Sequence, residues 1–177
     1  MVCSKIIQDY LNMTNNILIA GACTTRGIKV SKFLQRKGFD IFGVDRHHAT
    51  ELFVKKFFRM DMRHQDNMEL VMTIVKPSVV IFCPEKVTPT YNSYISFSGV
   101  LGAALNAGVS NIALCLDQVY DMPKDANEIA QLSMYHLLNV YKTSHNLNTL
   151  VITDSSNLLK EIKIFVQPKG TEDGENI

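Results

Sequence analysis

The chain has 177 residues, of which 46% are hydrophobic and 20% are charged, with a formal net charge of +1. This length supports one well-buried domain and is too short for two domains of ordinary size. The near-neutral balance disfavours nucleic acid as the main partner, because no broad positive field attracts a polyanion. No apolar run approaches the roughly 18 residues of a membrane span, so we expect no membrane segment and a cytoplasmic protein.

The cysteines are scattered, at Cys3, Cys23, Cys83 and Cys115. They show no C-x-x-C spacing and no paired histidines at zinc-ligand distances, so we expect no metal site. The last three lie in or just after apolar runs, where a thiol usually behaves as a small buried hydrophobe. We therefore predict reduced packing residues and an intracellular compartment.

Residues 1–15 carry apolar side chains at helical spacing and are predicted to form a short helix outside the main fold. Apolar runs and amphipathic stretches then alternate along the chain. The run NNILIAGA predicts a strand, and residues 25–37 predict a helix that Gly38 ends. FDIFGVD predicts the second strand, residues 51–57 a short helix, and KFFRMDM the next strand.

Residues 67–76 predict a helix stopped by a proline, and SVVIFCP is a continuous apolar run typical of strands covered on both faces. A helix over 93–107, the strand IALCL, a helix over 127–145 and the strand TLVIT follow. This alternation predicts a doubly wound parallel sheet, a Rossmann-like three-layer α/β/α fold, over residues 16–166. The polar, glycine-containing remainder, 167–177, is predicted to be a flexible tail.

The turn after the first strand is the place to look for a ligand in such a sheet. It reads GACTTRG and matches G-x-x-G-x-x-G except for its middle position. The two outer glycines would permit a tight turn and close packing of the helix, whose N–H groups and dipole would face a pyrophosphate. Thr24 would either push the pyrophosphate away or replace a backbone contact with its hydroxyl. The cofactor-binding candidates in this turn are Gly21, Cys23, Thr24, Thr25, Arg26 and Gly27.

Asp45 ends the second predicted strand. A carboxylate there would accept hydrogen bonds from the adenosine ribose hydroxyls, which favours NAD. Arg46 beside it would instead suit the 2′-phosphate of NADP, so the preference for NAD is slight. The alternative is that the glycines only shape a turn and that Asp45 only caps the next segment.

These motifs together resemble the extended short-chain dehydrogenase/reductases over residues 16–153. This family includes nucleotide-sugar epimerases, 4,6-dehydratases and 4-keto-sugar reductases. ILIAGACTTRG resembles its glycine turn, FGVDR its ribose-binding strand end, RMDMRH its adenine segment, KPSVVIFCP its nicotinamide side and AGVSNIALC the strand before its active site. The resemblance implies adenine contacts at Asp61 and Met62, and it puts Cys83 and Pro84 on the nicotinamide side.

LDQVYD resembles the family's active-site turn and is closest to that of the dehydratases and keto-sugar reductases. The family has a hydroxyl where this sequence has Leu116, an acid at Asp117 and, in the dehydratases, a Glu where this sequence has Gln118. Counting back from YKTSHNLNTLVI puts Asn127 and Gln131 at the positions of the Tyr and Lys that transfer protons in the family. Asp117 is therefore the one catalytic candidate that the resemblance retains.

A literal Y-x-x-x-K runs from Tyr120 to Lys124, but Pro123 would break the helix that aligns such a pair. The family also has a longer loop before its Tyr helix and a sugar-binding domain after the matched region. Neither is found in this sequence, so we expect no closed substrate cleft.

Three functions stay open at this stage. The first is a non-catalytic or vestigial NAD(P)-binding Rossmann module that serves nucleotide sensing, assembly or scaffolding. The second is a nucleotide-sugar epimerase, dehydratase or reductase that uses Asp117 as acid and a substrate domain supplied by a partner. The third is an accessory structural subunit of a larger complex, docked through residues 1–15.

The resemblance also implies a homodimer, because the family dimerises through helices that correspond to 93–107 and 127–145. We expect exposed apolar side chains at Met134, Leu138 and Tyr141 to support this contact.

Overall fold

The computed structural model of the protein describes residues 16–48, 50–84, 91–153 and 158–166. These residues form six strands and five helices, which alternate except that β3 follows β2 with no helix between them. The strands are β1 Asn16–Ala20, β2 Asp40–Asp45, β3 Lys56–Arg59, β4 Val79–Phe82, β5 Asn111–Cys115 and β6 Asn148–Ile152. The helices are α1 Thr25–Arg36, α2 Gln65–Val75, α3 Tyr91–Asn106, α4 Ala126–His145 and α5 Leu158–Val166. The helix predicted for 1–15 and the tail predicted for 167–177 lie outside the described residues.

The six strands form one parallel sheet in the order β3-β2-β1-β4-β5-β6. This confirms the predicted doubly wound sheet. The strand order reverses between β1 and β4, and at such a switch point the loops at the carboxyl ends of the strands diverge and leave a crevice.

The two faces of the sheet bury alternate residues of each strand. In β1, Leu18 and Ala20 belong to one core cluster, which α2, α3 and α4 complete. Ile17 and Ile19 belong to the other cluster, which α1 and α5 complete. Because successive strand side chains point to opposite faces, a continuous apolar strand needs helices on both sides. The three layers are therefore those that the sequence predicts.

The short helix predicted for 51–57 is wrong. The chain is irregular before β3 begins at Lys56. Lys32 Nζ of α1 lies 4.9 Å from the centroid of the Phe53 ring, and Val54 packs against the same core cluster as α1. The apolar spacing of this segment thus comes from an extended loop that covers α1. The structure also contains the helix α5, which the sequence pattern did not predict.

The predicted burial of the cysteines is confirmed at two positions and wrong at one. Cys83 and Cys115 are buried, with their Sγ atoms 3.6 Å apart on neighbouring strand ends. The neighbouring thiol of Cys115, followed by burial, raises the pKa of Cys83 well above its usual value. Cys23 is only partly buried, because it lies in the turn after β1, where its Sγ donates to the carbonyl oxygen of His47 at 3.2 Å.

The expected exposure of Met134 and Leu138 is also wrong. These side chains of α4 are 1% and 0% exposed and belong to the core cluster, against which Tyr141 is partly buried. Large apolar side chains of α4 that are exposed include Ile129 and Val140. The homodimer stays a prediction, but without the side chains first assigned to it. No helix among the described residues is long and apolar enough to cross a membrane.

We expect Leu138→Ala to lower the free energy of unfolding by about 2–5 kcal/mol, because it leaves a cavity in the core. Val140→Ala on the exposed face of the same helix should change it by less than about 0.5 kcal/mol. Urea denaturation of both variants measures the difference. If Leu138→Ala alters only self-association and not the stability of the monomer, the buried placement of Leu138 is wrong.

A matched pair of glycines tests the turn after β1. Gly21 and Gly38 have nearly the same backbone, with φ of 85° and 86°. A Cβ on Gly21 would lie 2.0 Å from the carbonyl oxygen of Cys83, whereas a Cβ on Gly38 would meet nothing within 4 Å. We expect Gly38→Ala to cost about 1–2 kcal/mol through its left-handed backbone, and Gly21→Ala to cost about 1–3 kcal/mol more through steric overlap. Equal urea midpoints for the two variants would contradict this close approach.

Candidate functional site

The turn between β1 and α1 lies at the carboxyl edge of the sheet and is closed by backbone hydrogen bonds. The N–H of Gly21 donates to the carbonyl oxygen of Val44 in β2 at 2.9 Å. A Cβ on Gly27 would lie 2.1 Å from the carbonyl oxygen of Gly21. The backbones of the turn and of α1 therefore touch, and only glycine fits at both ends of the motif.

Thr24 uses its hydroxyl within the protein, as the N-cap of α1. Its Oγ1 accepts from the N–H of Gly27 at 3.0 Å and donates to the carbonyl oxygen of Gly21 at 2.8 Å. A threonine just before a helix is a recognised capping signal, so this role was open to sequence reasoning. Thr24 also lines the crevice. Because the hydroxyl is engaged by the turn, the methyl group is the part that a phosphate would meet.

Asp45 is 4% exposed and holds two loops with its carboxylate. Oδ2 accepts from the N–H of Cys23 at 3.1 Å, and Oδ1 accepts from the N–H of His47 at 3.0 Å. This is the capping role that the sequence left as an alternative. Each carboxylate oxygen has a second lone pair, so Asp45 can cap the loops and still accept a hydrogen bond from a ribose.

Asp61 follows β3 and is bound by Arg63, a residue that sequence reasoning missed. Nε of Arg63 donates to both carboxylate oxygens of Asp61 at 3.0 Å, and its backbone N–H donates to Oδ1 at 3.0 Å. These bonds lower the pKa of Asp61 to about 2. Asp61 is therefore an anion at neutral pH whose acceptor atoms are partly used by Arg63.

A crevice at the carboxyl ends of β1, β2 and β3, bordered by the end of β4 and by α3, brings many of the predicted cofactor residues together. We call it the β1–β3 crevice; it has a volume of about 40 Å³ and opens to solvent. Its lining includes Gly21, Thr24, Asp45, Arg46, Asp61, Met62, Cys83 and Pro84. A larger groove, of about 620 Å³, lies at the other edge of the sheet, beside Pro77 and Gly108. Ligands of doubly wound sheets bind at the carboxyl edge, so the β1–β3 crevice is the candidate site.

Arg26, the second residue of α1, pairs with Asp117, which follows β5. Since β4 lies between β1 and β5, the Arg26 side chain crosses the carboxyl end of β4 to reach Asp117. Gln131 of α4 completes the contact: its Nε2 donates to Oδ2 of Asp117 at 3.0 Å, and its Oε1 accepts from the N–H of Asp117 at 2.7 Å. We call these three residues the Arg26 bridge.

The Arg26 bridge leaves little space at the carboxyl end of β5. The cavity there, which we call the β5 cavity, has a volume of about 10 Å³ and is lined by the bridge together with Asn127 and Pro84. Arg26 and Gln131 are only 8% and 4% exposed. Thus the structure brings Asp117, Asn127 and Gln131 together as neighbours, in a cavity that their own side chains and Arg26 fill.

The other predicted catalytic positions do not reach this cavity. Leu116 is fully buried in the core cluster, and Gln118 is exposed. The segment from Tyr120 to Lys124 is not helical, as Pro123 predicted. Burial, followed by the nearby carboxylate of Asp117, raises the pKa of Tyr120. A catalytic phenolate needs the opposite shift.

The two sides of the site differ in how they fit a dinucleotide. The β1–β3 crevice offers the helix N-terminus, the Asp45 carboxylate and an open groove, which suit the phosphate, ribose and base of an adenosine moiety. The second nucleotide of NAD would lie on the β4–β6 half of the sheet. The β5 cavity does not fit it, because the cavity has the volume of about one water molecule.

Comparison with solved structures places the fold among nucleotide-sugar epimerases. The UDP-glucose 4-epimerase of Thermus thermophilus in complex with NAD is 18% identical, with a TM-score of 0.68 over 78% of this chain and 54% of that chain. The UDP-N-acetylglucosamine 4-epimerase of Bacillus cereus is 13% identical, with a TM-score of 0.67 over 78% and 52%. A monomeric L-threonine 3-dehydrogenase from a metagenome, in its apo form, is 18% identical, with a TM-score of 0.65 over 77% and 52%.

The chain has the fold of these enzymes. The resemblance inferred from the sequence motifs is thereby confirmed at the level of the fold. The chain spans about half the length of the solved structures that it matches. Its sequence matches no protein-family model and no curated protein. At these identities the likeness establishes the fold and leaves the activity to the residues of the site.

We expect Asp117→Ala to lower the free energy of unfolding by about 2–3 kcal/mol, because it removes the carboxylate that pairs with the buried guanidinium of Arg26. The loss is smaller than for a fully buried pair, since the Asp117 side chain is 25% exposed. A double-mutant cycle with Arg26→Ala should give a coupling energy of about 1 kcal/mol or more.

The control for this prediction is Asp40→Ala. Asp40 pairs with Lys55 at 3.0 Å on the surface, where the two side chains are 48% and 60% exposed. Its loss should cost less than about 1 kcal/mol. Equal effects of Asp40→Ala and Asp117→Ala in urea denaturation would contradict a structural role for the Arg26 bridge.

Proposed function

We propose that the chain is a non-catalytic nucleotide-binding module that recognises the adenosine end of an adenine dinucleotide, NAD or NADP. Such a module would serve nucleotide sensing, assembly or scaffolding. The observation that carries the proposal is the state of Asp117, the one retained catalytic candidate. Both of its carboxylate oxygens are bound, one by Arg26 and one by Gln131.

A carboxylate in this position is a poor acid. A catalytic acid or base has to reach the proton that it transfers, whereas the Asp117 carboxylate is held against Arg26 and Gln131. Asn127 and Gln131, which line the same cavity, have amide side chains that do not titrate. The proton transfers of a sugar epimerase or dehydratase therefore lack both a donor and an acceptor among these residues.

The binding part of the proposal depends on the open β1–β3 crevice. Asp45 has lone pairs available for ribose hydroxyls. Thr24, the N-cap of α1, lines the crevice, so a phosphate there would lie near a helix N-terminus, where N–H groups have no intrahelical acceptor. Arg46 lines the same crevice and would favour a 2′-phosphate, while Asp45 favours a free ribose. The proposal therefore covers both NAD and NADP.

The experiment is a melting-temperature series with NAD⁺, NADH, NADP⁺ and NADPH, with a UDP-sugar as the control ligand without adenine. A ligand at 100 times its Kd stabilises the folded state by about 2.7 kcal/mol, which gives a measurable shift. We expect a shift with at least one adenine dinucleotide and none with the UDP-sugar. In a separate activity assay that contains both a dinucleotide and the UDP-sugar, we expect no conversion of the sugar. The absence of any shift would refute nucleotide binding and favour a purely structural module. Turnover would refute the non-catalytic role.

Thr24 gives a graded test of where the phosphates lie. We expect Thr24→Ser to tighten dinucleotide binding several-fold, because it keeps the capping hydroxyl and removes the methyl group that faces the crevice. Thr24→Gly should tighten binding at least as much and cost a few tenths of a kcal/mol in stability. Isothermal titration of both variants measures the affinity. Weaker binding by Thr24→Ser would mean that the phosphates do not pass this residue.

A further inference from the structure

The two mononucleotide halves of the crevice are not equivalent. The half over β1, β2 and β3 is an open groove of about 40 Å³, whereas the half at the end of β5 has about 10 Å³. Pro84 and Ser93 line both spaces and so form the partition between them. A water molecule needs about 10–15 Å³ of such volume. Within the part of the chain that the structure describes, the space at the end of β5 is therefore filled by the protein itself.

The Arg26 bridge is what fills it. Arg26 starts from the phosphate-facing turn of α1 and crosses the carboxyl end of β4 to reach Asp117. A ligand that continued from the turn towards β5 would follow the same path as the guanidinium. To enter, it would have to displace a cation that is 8% exposed from a carboxylate that Gln131 also holds.

We propose that the site takes an adenosine nucleotide that ends at its diphosphate, and that the Arg26 bridge excludes the second nucleotide of a dinucleotide. This inference rests on the proposed nucleotide binding and narrows its ligand class. The adenosine and the diphosphate lie in the β1–β3 crevice and against the first turn of α1. Whatever is attached beyond the diphosphate stays outside the protein and adds nothing to the affinity.

The measurement is the ratio of Kd for ADP to Kd for NAD⁺, determined by isothermal titration on the full chain. In the wild-type protein we expect a ratio of about 1, because the nicotinamide nucleotide makes no contact. In Arg26→Ala the second half opens and NAD⁺ gains contacts that ADP lacks, so the ratio should rise on the order of tenfold, equivalent to about 1.4 kcal/mol.

Lys29→Ala is the matched control. Lys29 lies on the same helix, is exposed, and carries the same charge, so its removal changes the helix electrostatics without opening the cavity. The ratio in Lys29→Ala should equal that of the wild type. The double variant Arg26→Ala/Asp117→Ala removes both charges of the ion pair and should give the same raised ratio if Arg26→Ala alone unfolds.

The outcomes separate this inference from the proposed function. A wild-type ratio of about ten or more, or a folded Arg26→Ala with an unchanged ratio, overturns the exclusion by Arg26 while nucleotide binding stands. If neither ADP nor NAD⁺ binds to the wild type or to any variant, the proposed function itself is wrong. If NAD⁺ binds only after Arg26 is removed, the exclusion holds and the wild-type chain is not a dinucleotide sensor.

Discussion

An ion pair across the carboxyl edge of the sheet organises the site. The guanidinium of Arg26 is removed from water, and such burial is costly unless the charge is paired and the partner's other lone pairs are satisfied. Asp117 supplies the opposite charge, and Gln131 binds both the second carboxylate oxygen and the N–H of Asp117. The bridge thereby joins the turn after β1, the loop after β5 and the helix α4.

The layers of the fold could be predicted from the sequence because continuous apolar strands need covering on both faces. The side of a helix that faces the core could not be predicted from spacing alone. Met134 and Leu138 lie four residues apart and so share one face of α4, but the pattern does not say whether this face meets the sheet or a partner. The helix prediction for residues 51–57 is wrong for a related reason, because the loop before β3 buries apolar side chains without forming helical hydrogen bonds.

The site was predicted in part, since the motifs point to local features. The β1–β3 crevice follows from the glycine turn, Asp45 and Asp61, each of which lies at or just after the end of a strand on the same sheet edge. The Arg26 bridge does not follow, because Arg26 and Asp117 are 91 positions apart. The motif assigned Arg26 to the phosphate turn, and nothing in the spacing indicates where a long side chain ends. The N-cap role of Thr24 has a local sequence signal, but the turn was interpreted only as a phosphate-binding motif.

The presence of Gln131 at the position of the family's Lys is physically linked to the presence of Arg26. A lysine at position 131, as the resemblance implies for an active member, would place a second cation beside Arg26 in a space that is almost closed to water, and like charges at such distances destabilise each other. The neutral amide of Gln131 avoids this repulsion and supplies the two hydrogen bonds that Asp117 needs. Arg26 and a lysine at 131 are therefore alternatives. In the proposed non-catalytic module, Arg26 is the cation of this region, and its contact with Asp117 closes the cavity.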